Sequence, residues 1–289
     1  MKILNFIKYF FEFLIVIIFF IILKLLGIKA SSFISGKIFS IIGPFFRSKI
    51  IIDNNLNIAF PNISQKEKGA LMNDMWNYYG RIFAEYLFLK NFRNNSKKTK
   101  IEIEGNEILE NLKKKKENVI FISGHFDNFE LMAMCLEKQG INLAAIYRPL
   151  NNFFLDKIMV SLRKQYICKN QIKKGRSSVR QLVRMFKNGY SIALMIDQRL
   201  SEGIKSPFFL KDAYTTTIPA QFFKKFNCKV VPVYIERKLD QQFKIKILDP
   251  FIFRKEMSIE EITKDLNLCL EKMIINNPSK WIWSHNRWK

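Results

Sequence analysis

The chain has 289 residues, room for one large domain or two small ones at roughly 150 residues each. Its 48 Lys+Arg against 25 Asp+Glu leave a formal charge of +23, and 48% hydrophobic residues exclude a disordered basic tail as well as collagen or disulfide-scaffold compositions. That charge calls for an anionic partner: nucleic acid, an anionic membrane face, a phosphorylated lipid or an acidic carrier protein.

Residues 9–28 form an apolar run interrupted by Glu12 and Lys24, and twenty helical residues span about 30 Å, the thickness of a bilayer core. Lys2 and Lys8 precede it and no small-residue cleavage site follows, so it reads as an uncleaved single-pass anchor rather than a signal peptide. A second apolar stretch, 33–46, carries Lys37 and a Gly43-Pro44 break and reads as interfacial. A buried hairpin is the alternative for both. Lys29, Lys37, Arg47 and Lys49 after the anchor weakly place the body on the cytoplasmic side. Residues 1–46 are thus expected to be membrane anchor and interfacial segment, and 47–289 one further domain.

From 47 to 95 the pattern is helical, with Leu71, Met75, Tyr78, Tyr79, Ile82 and Tyr86 at three- and four-residue steps. The lysine runs 97–100 and 113–116 are solvated charge by default, or faces for lipid phosphates. Beyond residue 100, β-rich apolar runs at 119–123, 143–147, 191–196, 230–235 and 243–248 alternate with helical stretches at 128–139, 153–165, 177–188, 218–227 and 258–276. Ser177 is expected to cap one helix, and Gly140 and Gly189 to stop two. Strands spaced by helices predict an α/β fold: a mixed, largely parallel sheet flanked by helices. Cys135, Cys168, Cys228 and Cys269 lie far apart and read as reduced, packed thiols.

Only two histidines exist, His125 and His285, so general bases for neutral pH are few. His125 follows an apolar strand and precedes a helix, where ligands bind in open α/β sheets. Glu130 lies five residues on. If the two meet, the carboxylate orients one ring nitrogen and frees the other to take a proton from a hydroxyl; a capping His with a solvent-facing Glu fits the spacing equally. Asp127 is a second carboxylate nearby, and which of the two partners His125 stays open.

The stretch Ser123-Gly-His-Phe-Asp-Asn-Phe-Glu130 resembles the HxxxxE/D motif of the glycerolipid and lipid A acyltransferases, in particular the lipid A biosynthesis (lauroyl/myristoyl) acyltransferase family. Further blocks agree in order: Ile146-Tyr-Arg-Pro149, Gly189 to Gln198 ending in Asp-Gln, Ser206-Pro-Phe-Phe209 with Thr215 to Thr217, and Trp281-Ile-Trp-Ser-His-Asn-Arg-Trp288. Asp127 stands where that family usually has Gly, Phe129 replaces its usual Trp, and Leu210-Lys-Asp replaces a glycine-rich turn.

The resemblance implies acyl transfer from a thioester to a hydroxyl, with His125 as base and Glu130 as its orienter. It implies substrate-binding roles for Arg148, Asp197, Gln198, Phe208, Phe209 and Thr216, the phenylalanines with Phe222 and Phe223 lining the acyl slot. No metal or cofactor is implied. The donor would be acyl carrier protein, suited to a basic surface, or acyl-CoA. The acceptor would be an anionic lipid A precursor at a bacterial inner membrane, in lipopolysaccharide biosynthesis. A lysophospholipid acyltransferase is the alternative enzyme. A tethered nucleic-acid-binding protein explains the charge alone, but no nucleic-acid motif is present. His285, among Trp281, Trp283, Arg287 and Trp288, reads either as an interfacial cluster or as C-terminal packing.

Overall fold

The computed structural model describes residues 3–96, 99–175 and 177–289; Lys2, Lys97 and Lys98, named above, lie outside them. The helical N-terminal part comprises α1 (Ile3–Phe46), α2 (Lys49–Ala59), α3 (Gln65–Glu85), a 3-10 turn (Tyr86–Phe88) and α4 (Leu89–Arg93). The rest alternates: β1 (Ile101–Glu104), α5 (Asn106–Lys114), β2 (Ile120–Ser123), α6 (Glu130–Lys138), β3 (Leu143–Tyr147), α7 (Phe153–Leu162) running into a π-helical turn (Arg163–Ile167), and β4 (Asn170–Lys173). There follow α8 (Ser178–Lys187), β5 (Ser191–Met195), β6 (Ile204–Phe208), β7 (Lys211–Thr215), α9 (Ile218–Phe226), β8 (Val230–Leu239), β9 (Gln242–Ile247), α10 (Ile259–Asn276) and a closing turn, Pro278–Lys280.

Seven strands form one sheet in the order β1-β9-β8-β2-β5-β3-β4, parallel throughout except for β8 against β9. The mixed, largely parallel sheet flanked by helices is the expected fold. All four residues of central β2 are buried, as a strand covered on both faces requires, and its unbroken apolar run follows from that. All five expected strands are present. The polar, half-buried β4 and the separate β6–β7 hairpin give no comparable hydrophobic signal. Ser177 stands at the start of α8 but its side chain caps no backbone N–H; instead its hydroxyl accepts from Gln181. Ser258 completes a capping box with Glu261.

The helix break falls at Gly27, not at Gly43-Pro44. Gly27 adopts φ 73°, ψ 165°, a conformation open to glycine because it has no Cβ. Pro44 sits in the last turn, where the helix ends two residues later. Residues 28–46 pack on α3 through small side chains: Ser31, Ser32, Ser35 and Gly36 are buried, and Ser35 Oγ donates to the Gly80 carbonyl at 2.7 Å. A Cβ on Gly80 would overlap the Ser35 backbone, so the close approach depends on its absence.

Candidate active site

β2 and β5 are parallel neighbours with Ser123 opposite Met195, so the chain leaves the carboxyl edge of the sheet twice, side by side. Two residues past each strand stand His125 and Asp197. The His125 backbone N–H donates to Asp197 Oδ2 at 2.8 Å, and its Nδ1 lies 2.8 Å from Asp197 Oδ1. Trp281 Nε1 donates to Oδ2, also at 2.8 Å. Burial by itself raises the Asp197 pKa, but the His125 imidazole, the two His125 hydrogen bonds and the Trp281 N–H outweigh it and bring it down to about 2. An ionised Asp197 only accepts, so Nδ1 carries the proton and Nε2 keeps a free lone pair. Nε2 faces the cavity, 3.5 Å from the Gln198 amide, and the ring packs edge-on to Phe129.

Glu130 does not orient His125. From the first turn of α6 its carboxyl turns to Arg163 Nε, at 3.1 and 3.3 Å, to Arg163 Nη2 and to the Tyr86 hydroxyl. A guanidinium fork and a phenol match a carboxylate better than one ring nitrogen does. Burial and the neighbouring Glu130 push the Tyr86 phenol far up, so it stays a donor. Burial alone lowers the Arg163 pKa, but Glu130 and Tyr86 more than offset this and keep the guanidinium charged.

Asp127 does not reach His125 either. It accepts from the Arg237 backbone N–H at 3.0 Å and from Arg237 Nε at 3.2 Å. Arg237 also donates to Glu85 at 2.7 and 3.0 Å, and Ser32 and Asn128 donate to the same Glu85 carboxyl. This buried network joins α1, α3, β8 and the His125 turn. Asp127 therefore holds the turn in place from beneath.

A cavity of about 510 Å³ opens at this edge, lined by His125, Glu130, Arg148, Gln198 and Thr216 among the expected residues. Asp197 stands behind His125, 1% exposed. Phe208 and Phe209 do not line the cavity; they pack on Trp281, Trp288 and Phe60. Phe222 and Phe223 pack on Phe186 and Phe253. Large rings are drawn into the core by the area they bury. The apolar wall comes from small and aliphatic residues instead. Ala145 and Ala193 are paired across β3 and β5, with Ala133 and Ile167 from the covering helices also lining the space. On the other face Ile146, Leu194 and Ile218 contribute.

Of the charged or titratable cavity residues, Arg163 and Lys174 were not singled out in the sequence, and Arg47 and His285 were read there in other roles. Arg47 and Lys174 come from distant parts of the chain, and Arg163 carries no motif. His285 offered a signal as one of only two histidines. Its Nε2 accepts from the Arg199 backbone N–H at 2.9 Å, and burial pushes its pKa down to about 4. Asn55 donates to the Trp283 and His285 carbonyls, each at 2.7 Å, while Trp281, Trp283 and Arg287 are at most 1% exposed. C-terminal packing, not an interfacial cluster, describes this segment.

The arrangement can take a proton from a hydroxyl at an apolar cavity with a cationic rim. A model of the bacterial lipid A biosynthesis acyltransferases matches residues 2–289. The chain is 23% identical over 265 residues to the lipid A biosynthesis palmitoleoyltransferase of Escherichia coli (strain K12), covering 89% of this chain and 84% of that relative. To the myristoyltransferase of the same strain it is 22% identical over 253 residues, covering 86% and 76%. Among solved structures it resembles the 1-acyl-sn-glycerophosphate (LPA) acyltransferase of Thermotoga maritima, with a TM-score of 0.43 and 18% identity, over 86% of this chain and 98% of that one. From residue 2 to residue 289, then, the family match covers nearly the whole chain: the chain belongs to the bacterial lipid A biosynthesis acyltransferase family and is an acyltransferase.

Proposed function

We propose that the protein transfers a fatty acyl chain from acyl carrier protein thioester to a hydroxyl of a phosphorylated lipid A precursor, attached to the bacterial inner membrane by its apolar N-terminal helix with residues 47–289 on the cytoplasmic side. The observation that carries this reading is the His125–Asp197 pair, with Nε2 turned into a cavity that is apolar within and cationic at its rim. Arg47, Arg148 and Lys174 supply the charge for a phosphorylated substrate. The excess of 48 basic over 25 acidic residues suits an acidic carrier.

The acceptor hydroxyl gives its proton to His125 Nε2 as its oxygen attacks the thioester carbonyl. Asp197 stabilises the imidazolium that forms and keeps the ring in register. The tetrahedral oxyanion is met by donors lining the cavity, the Gln198 amide and the Arg148 guanidinium. Collapse expels the thiolate, which takes the proton back from His125, leaving an ester and a free thiol. Glu130 and Arg163 act as a locked pair in the cavity wall that ties α6 to the π-helical turn.

The test is transfer by the full chain in detergent, offering acyl carrier protein thioester or acyl-CoA as donor and a lipid A precursor or lysophosphatidic acid as acceptor, with His125→Ala alongside. Transfer to the saccharide lipid that collapses in the variant is expected. Transfer confined to lysophosphatidic acid would replace the acceptor, and full activity of His125→Ala would overturn the mechanism.

A further inference from the structure

Between Asp156 and Asp197 the chain carries ten basic residues and no carboxylate. Elsewhere many basic side chains have a carboxylate in reach: Arg93 pairs with Glu137, Lys229 with Glu117, Lys244 with Glu104 and Lys246 with Glu236. α8 lies inside the acid-free stretch. Arg180, Arg184 and Lys187 stand on one face of it, at four- and three-residue steps, and all three are exposed. Among the described residues none of the three takes part in an ion pair. Like charges at these steps weaken a helix, so α8 is held by burial of Leu182 and Phe186 and its basic face contributes nothing to the fold.

The strip starts at the cavity mouth. Lys174 is part of the cavity wall, and just beyond it the Ser178 N–H and hydroxyl donate to the Gly175 carbonyl at 3.0 and 2.7 Å, which fixes the start of α8 beside the opening. The β2–α6–β3 crossover runs across the sheet in one direction and β4–α8–β5 returns, so right-handed connections lay α6 and α8 on opposite faces. With α6 go the π-helical turn, through Glu130 and Arg163, and α7, whose Phe154 packs on Phe6, Phe10 and Phe13 of the N-terminal helix. With α8 goes α9, through Phe186 on Phe222 and Phe226. The basic strip therefore lies on the side of the sheet away from the apolar N-terminal helix.

A bilayer is a poor match for this face. A helix that seats in a membrane surface offers bulky apolar side chains beside its basic ones, whereas the most exposed apolar side chain of α8 is Val179, at 41%. An acidic protein surface needs only the row of charges. Such charges at a rim speed encounter and set orientation more than they add affinity, which suits a donor that must leave after each turnover.

We infer that the Arg180–Arg184–Lys187 face of α8 is the docking strip for an acidic carrier protein, which passes its acyl thioester on a flexible arm by Lys174 into the cavity. The arm runs along Ile146, Leu194 and Ile218, the cavity wall on the α8 side of the sheet. The opposite side, which carries the apolar N-terminal helix, is left to the acceptor lipid. This rests on the carrier-protein donor proposed above.

The test reverses the strip in the full chain in detergent, with Arg180→Glu, Arg184→Glu and Lys187→Glu combined. The control makes the same charge change at the exposed lysines ahead of β2, with Lys114→Glu, Lys115→Glu and Lys116→Glu. Lauroyl-acyl carrier protein and lauroyl-CoA are offered as donors to the same acceptor. With the carrier, kcat/KM of the strip variant should fall about tenfold or more, through KM and with a flatter salt dependence, while its lauroyl-CoA kinetics and the control stay within about twofold of the parent. An equal loss with both donors, or in the control, overturns the inference. Binding is read separately, without turnover, from the fluorescence anisotropy of labelled carrier titrated with the chain. Saturable binding by the parent that the strip variant loses supports the strip; equal binding by both overturns the strip and leaves the donor standing, and no binding by the parent overturns the carrier donor itself. Loss of sedimentation with anionic phospholipid vesicles in the strip variant, with carrier kinetics unchanged, would assign the strip to lipid instead.

Discussion

Asp197 accepts both the backbone N–H and the Nδ1–H of His125, although the two residues are 72 positions apart. Adjacent parallel strands bring them together, and Trp281 of the closing segment fills the remaining donor position. Three separated motif blocks thus meet at one carboxyl group.

Asp197→Asn keeps the shape and removes the charge that fixes the tautomer. Turnover is expected to fall about 10³-fold with the thermal midpoint of the variant still measurable. Activity within a few-fold of the parent would show that the pair does not act.

The same group gives a pH signature. Its folded pKa, about 2, lies below the ordinary aspartate value of 3.8, so its stabilisation is present above the unfolded pKa and is lost as pH falls through the folded value. On the order of 2 kcal/mol is at stake. Between pH 4 and pH 2 the parent should lose more stability than Asp197→Asn in denaturant titrations; parallel curves would refute the assignment.

His285 titrates in the other direction of charge. Its pKa of about 4 is below the ordinary histidine value of 6.5, so the neutral ring is favoured by folding, and stability is full above pH 6.5 and declines as pH drops toward 4. The thermal midpoint of the parent should fall more between pH 7 and pH 5 than that of His285→Gln, whose amide oxygen can still accept from Arg199.

Glu130→Gln leaves the Arg163 guanidinium, 14% exposed, without its counter-charge. Breaking such a pair costs about 3 kcal/mol, read as a lower thermal midpoint. Because Glu130 does not touch His125 Nδ1, the acid limb of the pH–rate profile should stay where it is, whereas a shared shift would restore Glu130 as orienter.

Ala193→Leu fills the small-residue wall opposite Ala145 and Ala133. Under the proposed function, transfer of long acyl chains should fall more than transfer of short ones. Phe222→Ala, at the core position once expected to line the slot, should cost about 3 to 5 kcal/mol of stability and leave the chain-length preference unchanged.

Continuous apolar runs such as Ile120–Ser123 and helical periods such as Met75–Ile82 were legible in the chain because burial periodicity is a local property. The edge of the sheet that holds the candidate site followed from the same alternation. What meets what at that edge is a matter of strand order. Glu130 is near His125 in sequence, yet Arg163 from the π-helical turn claims it, while Asp197 reaches His125 because β5 happens to neighbour β2. The apolar cavity wall is likewise assembled from alanines on different elements, and no single segment records that they converge. Residues 9–28 showed by composition alone that an apolar surface must be covered; that it is covered on one side by α7 and α3 was decided by packing along its length. Spacing along the chain encodes local structure, whereas which distant groups share a dielectric and a hydrogen bond depends on crossovers that only the folded chain makes.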